Sequence, residues 1–260
     1  MPSKERLFKN ELKKCKCDLK NMTLNIYQTQ PRLVFSSGGK VYKFFNTAEE
    51  CRFEVESIMS SPMIPSLDSQ SEHTMALVEI ISSHDLHYVM KVAEGDSLAS
   101  SNDYNGYYLA GRWLKTFHES SKETVGDDVL LFGDYVASHL YIDNVNKEVT
   151  LIDPGKDFGR VGNIEEDIAR FIVGLFHTKD FDFRRLRNNI SQFICGYGVE
   201  LLDYYLLESF IEFRIKRSFE KTMGLSTRIK NVLLAFVWRT IGYIKHRVIK
   251  NQLKEMLNGS

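Results

Sequence analysis

Two aspartates that each follow a short apolar run place the strongest constraint on the fold of this 260-residue chain. In the segment LFGDYVASHLYIDNVNKEVTLIDPG, Asp134 ends the first run and Asp153 ends the last. Between them, HLYID and VTLID are typical strand sequences joined by the turn NVNKE, which predicts a hairpin. A hydrophobic core does not require two carboxylates in these positions. A site that holds a metal ion beside a hydroxyl group does, and the pattern therefore indicates such a site.

Composition limits the class of protein. Acidic and basic residues balance at 34 each, so the charge of the whole chain does not favour binding to nucleic acid. A hydrophobic share of 43% and a charged share of 26% are ordinary for a folded protein. The basic N-terminal segment lacks the apolar region of a signal peptide, and no run of about eighteen apolar residues predicts a membrane span. We therefore expect a cytoplasmic protein.

The four cysteines are few and scattered, at positions 15, 17, 51 and 195. Cys15 and Cys17 resemble half of a metal site, but no second Cys or His pair matches them. Free thiols in a reducing compartment are the favoured interpretation.

The pattern of apolar residues changes along the chain. After a basic leader over residues 1–20, the runs LNIYQTQ, RLVFSS, KVYKFF, TMALVEII and LHYVMKVA predict strands, and AEECRFEVESIM predicts a helix among them. The pair Gly38 and Gly39 predicts a two-residue hairpin turn. From about residue 97 onward, helical periodicity dominates. The sequence thus predicts an α+β fold with two lobes: a small, mostly antiparallel β-rich lobe over 21–95 and a mostly helical lobe over 96–260.

Three segments in order carry a family resemblance. VLLFGDYVASHLYID resembles the catalytic loop of the protein-kinase-like superfamily, VTLIDPG resembles its metal-binding segment, and EEDIARFIVGLF resembles the helix that follows. The similarity is to the small-molecule branch: aminoglycoside phosphotransferases, choline and fructosamine kinases, and lipopolysaccharide core sugar kinases. The resemblance implies a two-lobed kinase-like fold and a phosphotransferase that uses ATP and Mg²⁺.

The resemblance also implies roles for three aspartates. Asp134 would be the catalytic base that accepts the proton of the substrate hydroxyl. Asp153 would bind the Mg²⁺ that bridges the phosphates, and Asp167 would cap its helix and brace the catalytic loop. The alternatives stay open: Asp134 as a turn aspartate after a strand, and Asp153 as part of an Asp-Pro-Gly turn.

A nucleotide site is implied in the N-terminal lobe. Lys43, the single charge in the apolar run VYKFF, would contact the α- and β-phosphates, although an edge strand facing solvent would also explain it. Its expected partner is a glutamate of the next helix. Glu54 fits the family spacing best, and Glu50 and Glu56 remain rivals.

The segment YVMKVAEGDSL resembles the hinge at which adenine bonds to the main chain. This resemblance makes Met90, Lys91 and Val92 the predicted contacts of the adenine ring.

The chain departs from the family pattern in three places. Phe132 replaces the loop histidine and loses a hydrogen-bonding brace. His139 replaces the asparagine that usually supplies a second metal ligand. Mg²⁺ prefers oxygen ligands, so a histidine favours a softer ion such as Mn²⁺ as well. The lipopolysaccharide core kinases share a histidine here, which tilts the predicted acceptor toward sugars. No glycine-rich phosphate loop is visible.

Residues 211–260 are strongly basic. Eleven Lys and Arg oppose three Glu, so this segment carries 11 − 3 = +8 in a chain without net charge. A terminal helix packed on the lobe with a solvated basic side is one interpretation. Contact with an anionic membrane, on the cytoplasmic face of the inner membrane, or with a phosphorylated glycan is the other. The basic segment contains no sequence motif typical of a nucleic-acid-binding domain.

The sequence therefore predicts an ATP- and Mg²⁺-dependent kinase of a small molecule or sugar, with a cell-envelope glycolipid saccharide as one acceptor class. Two alternatives remain. A pseudokinase would keep the fold as a nucleotide-binding or regulatory module, which the changes at Phe132 and His139 favour. A protein kinase is disfavoured because EEDIAR follows DPG too closely for an activation segment.

Overall fold

The computed structural model describes residues 25–28, 33–59, 73–101, 104–125, 128–155, 157–177, 182–224 and 229–258. The predicted leader over 1–20, with Cys15 and Cys17, lies outside these residues. The strands are β1 (Asn25–Gln28), β2 (Leu33–Ser37), β3 (Lys40–Phe44), β4 (Thr74–Leu77), β5 (Ile80–Ser83), β6 (His87–Lys91), β7 (Asp96–Ser97), β8 (Val129–Leu130), β9 (Leu140–Asp143), β10 (Glu148–Leu151) and β11 (Val161–Gly162). The helices are α1 (Ala48–Met59), α2 (Tyr104–Val125), α3 (Ile164–Phe176), α4 (Phe183–Tyr197), α5 (Tyr204–Gly224) and α6 (Ile229–Asn258).

The described residues divide into two compact units. The first contains those up to Val55 together with Glu79–Val92, and the second contains Glu56–Val78 and the residues from Ala93 onward. The lobe bounds of 21–95 and 96–260 remain a prediction. In the structure, the first unit ends at Val92, and β4 belongs to the second unit. The reason is the pairing of β4, described below.

The first unit is an antiparallel sheet in the order β1-β2-β3-β6-β5. Gly38 and Gly39 connect β2 to β3 with φ angles of 57° and 72°, the left-handed values that a two-residue hairpin turn requires. Phe35 stacks on Tyr42 with ring centroids 4.7 Å apart, so the hairpin buries its aromatic face. The two-glycine turn predicted from the sequence is therefore present.

The second unit contains a sheet in the order β4-β10-β9-β7. The sequence predicted TMALVEII as one strand of the N-terminal sheet, and this prediction is wrong. The segment is divided: β5 joins the first unit, whereas β4 runs parallel to β10, with Met75 opposite Val149 and Leu77 opposite Leu151. Because Met75, Val149 and Leu151 are buried, the pairing adds apolar surface to the core of the second unit.

The helices of the second unit enclose a core rich in aromatic residues. Trp113 of α2 contacts Phe132 edge-on and stacks on Tyr135, and Phe171 of α3 stacks on Phe193 of α4 at 3.9 Å. Helices α2 and α4 cross closely: a Cβ at Gly111 would lie 2.0 Å from the Phe193 carbonyl oxygen. Glycine is therefore required at this crossing. Within the described residues, no helix is long and apolar enough to cross a membrane.

Candidate active site

The hairpin of β9 and β10 positions the residues on which the functional prediction rests. A short 3-10 turn, Ala137–His139, leads into β9, and Asp153 follows β10 by two residues. The Ile152 N–H donates to the His139 carbonyl oxygen at 2.9 Å and ties the two ends together. Asp153 adopts a left-handed φ of 56°, which Asp tolerates better than most residues. This conformation turns the chain sharply at the carboxylate.

Glycine allows the segment after Asp153 to approach Asp134. A Cβ at Gly155 would lie 2.6 Å from the Asp134 backbone nitrogen and 2.7 Å from its Cβ. Gly133, with φ of 87°, makes a similar approach to the backbone of Asp157. Backbone contact at both glycines therefore brings together two aspartates that are separated by 19 residues in the sequence, since 153 − 134 = 19.

His139 lies between the two carboxylates. Its Nδ1 is 3.1 Å from the Asp134 carbonyl oxygen and 3.9 Å from Asp134 Oδ2. Its Nε2 is 3.9 Å from Asp153 Oδ2. A neutral ring whose Nδ1–H donates to the carbonyl carries its lone pair on Nε2, toward Asp153. Two adjacent ligands of an octahedral ion that each bond at about 2.1 Å lie about 3.0 Å apart, so a shared cation would require His139 Nε2 and Asp153 Oδ2 to approach each other by about 1 Å.

This donor set is small. Among the described residues, no cluster of three or more His, Cys, Asp or Glu side chains is arranged to hold a metal ion. Mg²⁺ commonly takes one or two protein ligands and completes its shell with water and substrate phosphates. An ion held only by His139 and Asp153 would therefore depend on water and on the phosphates of a nucleotide to complete its shell.

Asp167, in the first turn of α3, braces the loop before Asp134. Its carboxylate accepts hydrogen bonds from the Phe132 N–H at 2.6 Å and the Gly133 N–H at 3.0 Å. His118 of α2 contacts it through Nε2 at 3.3 Å, and His118 Nδ1 is 2.9 Å from the Tyr197 hydroxyl. A histidine from α2 thus supplies a brace where the sequence predicted the loss of one at Phe132. Phe132 itself packs among aromatic rings.

The surroundings of Asp167 lower its pKa. Burial by itself would raise it, but the hydrogen bond and charge of His118, with the N–H groups of Phe132 and Gly133, lower it below the ordinary value of 3.8. The ionised carboxylate is therefore favoured in the folded state. Its contribution to stability is fully present above the ordinary pKa and is lost as the pH falls through the lower, folded value.

Asp167→Asn is expected to destabilise the protein by about 2–4 kcal/mol at neutral pH, because the amide keeps one acceptor oxygen but leaves buried donors unpaired. The loss should shrink as the pH falls below about 4, where the unfolded wild-type chain takes up the proton, and should be smallest below the lowered pKa of the folded carboxyl group. Urea unfolding of both proteins across this pH range measures the difference. A loss that is constant down to the acid limit would contradict the assigned ionised state.

Arg170 is a site residue that the sequence analysis did not identify. Its Nη1 donates to Asp134 Oδ1 at 3.2 Å and its Nη2 to Asp157 Oδ2 at 3.1 Å. Arg170 follows Asp167 by three residues, so both lie on one face of α3. The three-residue spacing of Asp and Arg in EEDIAR is the sequence feature from which Arg170 could have been identified. With Oδ1 held by Arg170, Asp134 Oδ2 is the oxygen on the side of His139.

In the first unit, Lys43 and Glu54 form a buried ion pair with Nζ and Oε1 2.5 Å apart. Of the three candidate partners, the structure thus puts Glu54 against Lys43, whereas Glu50 and Glu56 are exposed on α1. The Tyr88 hydroxyl also donates to Glu54 at 2.7 Å, a contact that the sequence did not predict. Lys43 is not a solvent-facing edge residue, because β3 lies between β2 and β6.

The predicted adenine contacts lie at the end of β6. Met90 is buried and pairs with Val41. The Lys91 N–H donates to the Glu79 carbonyl at 2.9 Å and the Val92 N–H to the Gly39 carbonyl at 3.3 Å. Both donors are used within the first unit, so a contact of these two residues with adenine would have to use their carbonyl groups.

Comparison with known proteins bears on the fold. No family model and no curated protein sequence matches this chain. Among solved structures, a microcompartment-associated aminopropanol kinase has a TM-score of 0.65 at 11% identity, covering 96% of this chain and 99% of its own. Amicoumacin kinase hAmiN, in complex with AMP-PNP, Ca²⁺ and Ami, has a TM-score of 0.59 at 11% identity and covers 99% and 94%. An aminoglycoside phosphotransferase from Streptomyces rimosus has a TM-score of 0.56 at 14% identity and covers 80% and 96%.

The chain has the protein-kinase-like fold of the aminoglycoside phosphotransferase type. The predicted α+β fold, with a small antiparallel sheet in one unit and most helices in the other, is thereby confirmed. The loop after β8 and the hairpin of β9 and β10 bring Asp134, His139 and Asp153 together. The roles given to these residues and to Lys43 remain predictions, because identities of 11–14% support the fold alone.

Proposed function

We propose that this protein transfers the terminal phosphoryl group of ATP to a hydroxyl group of a small molecule or saccharide, with the help of a divalent cation. The convergence of Asp134, His139 and Asp153 carries the proposal, because His139 lies 3.9 Å from a carboxylate oxygen of each aspartate, which supports a base beside a cation-binding pair. The likeness to aminopropanol, amicoumacin and aminoglycoside kinases supports a small-molecule acceptor.

Each residue has a part in this chemistry. Asp134 Oδ2 accepts the proton of the acceptor hydroxyl while Arg170 holds Oδ1 and fixes the carboxylate plane. His139 and Asp153 bind the cation, which would neutralise charge on the phosphates. Lys43 contacts the α- and β-phosphates and is paired with Glu54, which also accepts a hydrogen bond from the Tyr88 hydroxyl. Phosphoryl transfer depends mainly on positioning and charge, so fixed side chains of this kind suit it.

For the acceptor, we propose a sugar, with the saccharide of a cell-envelope glycolipid as the first class to test. His139 supports this choice through the resemblance to lipopolysaccharide core sugar kinases, which carry a histidine at the corresponding position. The aminoglycoside phosphotransferases among the similar structures act on saccharide-like acceptors by name, which agrees with a sugar.

The proposal is tested by measuring the melting temperature with ATP, with and without Mg²⁺ or Mn²⁺, followed by a screen of sugars and aminoglycosides for ATP turnover. We expect ATP to raise the melting temperature more with a divalent ion, because ligands that bind only the native state stabilise it by mass action. Turnover with at least one acceptor should follow. Nucleotide binding that ignores divalent ions, without turnover of any acceptor, would contradict the proposal.

A pseudokinase is the second candidate function, and His139 is the observation that favours it. Its imidazole stands where the family pattern has an asparagine ligand for the metal, and each ring nitrogen lies 3.9 Å from a carboxylate oxygen. Such a protein would bind ATP without Mg²⁺ and would act as a binding or regulatory module. The same melting experiment separates the two functions.

A further inference from the structure

Helix α6 is apolar on two opposite faces. One face is buried in the second unit through Ala235, Ile249, Leu253 and Leu257. On the other, large apolar side chains are exposed at Leu233 (61%), Phe236 (58%), Val237 (52%), Tyr243 (36%) and Ile244 (50%). We refer to these five residues as the exposed stripe. Steps of three, four and seven residues keep them on one side of the helix.

The exposed stripe is bordered by arginines. Arg239 lies over the ring of Tyr243 at 5.6 Å and over that of Phe219, on α5, at 4.6 Å. Arg247 is exposed and follows Tyr243 by four residues and Ile244 by three, so it lies at the C-terminal end of the stripe. Phe219 also contacts Phe236 edge-on at 5.6 Å, which fixes this part of the stripe against α5.

The charged residues in the sequence around the exposed stripe are all basic. Between Glu220 and Glu255 there is no acidic residue, while eight Lys and Arg occur in this interval, at positions 221, 228, 230, 239, 245, 247, 250 and 254. The chain as a whole has no net charge, so the remaining residues are acidic in balance. Within the described part, Lys250 is neutralised by Glu208, and Arg239 and Arg247 remain beside the stripe.

We propose that the exposed stripe of α6 lies on an anionic membrane surface, with its apolar side chains at the boundary of headgroups and acyl chains and with Arg239 and Arg247 at the lipid phosphates. An apolar face bordered by cations is the composition of helices that bind in the interface plane.

Charge distinguishes this partner from a second copy of the chain. Two α6 helices that met through their stripes would bring Arg239 and Arg247 of both copies together, and α6 itself has no acidic residue before Glu255 to compensate them. Like charges at an interface oppose association, whereas anionic lipid compensates each arginine. Membrane contact would bring the protein to a glycolipid acceptor, but the proposal does not depend on the acceptor.

The test is sedimentation of the full chain with vesicles of phosphatidylcholine alone or with added phosphatidylglycerol. The wild type should bind the anionic vesicles more strongly. The triple variant Leu233→Ser, Val237→Ser, Ile244→Ser should lose about tenfold or more of this binding, because each buried CH₂ contributes about 0.8 kcal/mol. A matched control changes one Leu, one Val and one Ile that are exposed elsewhere: Leu86→Ser, Val145→Ser, Ile81→Ser. The control should bind as the wild type does.

A double variant, Arg239→Gln with Arg247→Gln, tests the charge independently of the apolar stripe. It should weaken binding to anionic vesicles by about 30-fold, since each cation near such a surface contributes about 1 kcal/mol, and should leave binding to neutral vesicles unchanged. Equal binding of the wild type to both vesicles, no binding to either, or equal losses in the stripe and control variants would overturn the proposal. So would a dimer in light scattering that the stripe variant dissociates. Neither readout uses kinase activity, so this failure is separate from that of the proposed function.

Discussion

Asp134→Asn is expected to lower the rate of phosphoryl transfer by about 10²- to 10⁴-fold, the usual loss when a general base is removed. The amide keeps the size of the side chain and an oxygen that Arg170 can contact, but it no longer accepts the hydroxyl proton. Because Asp134 would touch the acceptor rather than the nucleotide, the affinity for ATP should be nearly unchanged. Turnover at saturating acceptor and nucleotide titration measure the two effects separately.

Asp157→Asn is the matched control for this variant. Asp157 contacts the same guanidinium, with Arg170 Nη2 at 3.1 Å, so its substitution also removes a carboxylate from Arg170. We expect a much smaller loss of turnover, because Asp157 has no predicted role as a base. If both substitutions reduce turnover equally, the ion pairs of Arg170 rather than a base at Asp134 explain the effect. Activity of Asp134→Asn close to that of the wild type would remove Asp134 from the mechanism.

Asp153→Asn is expected to weaken binding of Mg·ATP by at least about tenfold, the lower range for disturbed metal sites, and to leave metal-free ATP binding almost unchanged. The physical reason is the loss of the one charged ligand in the pair with His139. Asparagine accepts left-handed backbone angles, so the φ of 56° at this position should persist. Calorimetric titration with ATP, with and without Mg²⁺, gives both affinities.

Two further variants control this experiment. Among the described residues, Lys147 is the second non-glycine residue with a left-handed φ, 54°, and lies in the turn of the same hairpin. Lys147→Asn should leave Mg·ATP binding intact. His139→Asn should retain binding with Mg²⁺ and lose preference for Mn²⁺, because an amide oxygen is a harder ligand than an imidazole. Equal Mg·ATP affinity in Asp153→Asn and the wild type would make Asp153 a turn residue only.

Local patterns in the sequence were sufficient for the hairpins. The adjacent glycines at 38 and 39 and the alternation in HLYID and VTLID depend on neighbouring residues, and the structure contains both turns. The division of TMALVEII between two sheets could not be predicted in this way. It depends on the parallel pairing of β4 with β10, which are far apart in the chain and have no shared turn.

The same difference between local sequence pattern and long-range packing applies to the candidate site. Asp134, His139 and Asp153 belong to one contiguous motif, and the structure brings them together. His118 and Arg170 lie on helices whose patterns are those of ordinary amphipathic segments. Only the packing of α2 and α3 against the loop turns these side chains toward Asp167 and Asp134. Periodicity indicates which face of a helix is buried, but it does not identify the polar group that a buried side chain meets.

The parallel pairing of β4 has a consequence during synthesis of the chain. Thr74 pairs with Glu148, which follows it by 148 − 74 = 74 residues. At translation rates of about 5–20 residues per second, β4 leaves the ribosome about 4–15 s before its partner strand exists. Strands β3 and β6 of the first unit can pair in the meantime, because both precede residue 92. The first unit can therefore form before β10 has been synthesised, while Met75 and Leu77 of β4 are still unpaired. At this stage the nascent chain exposes a short apolar strand that a chaperone could bind.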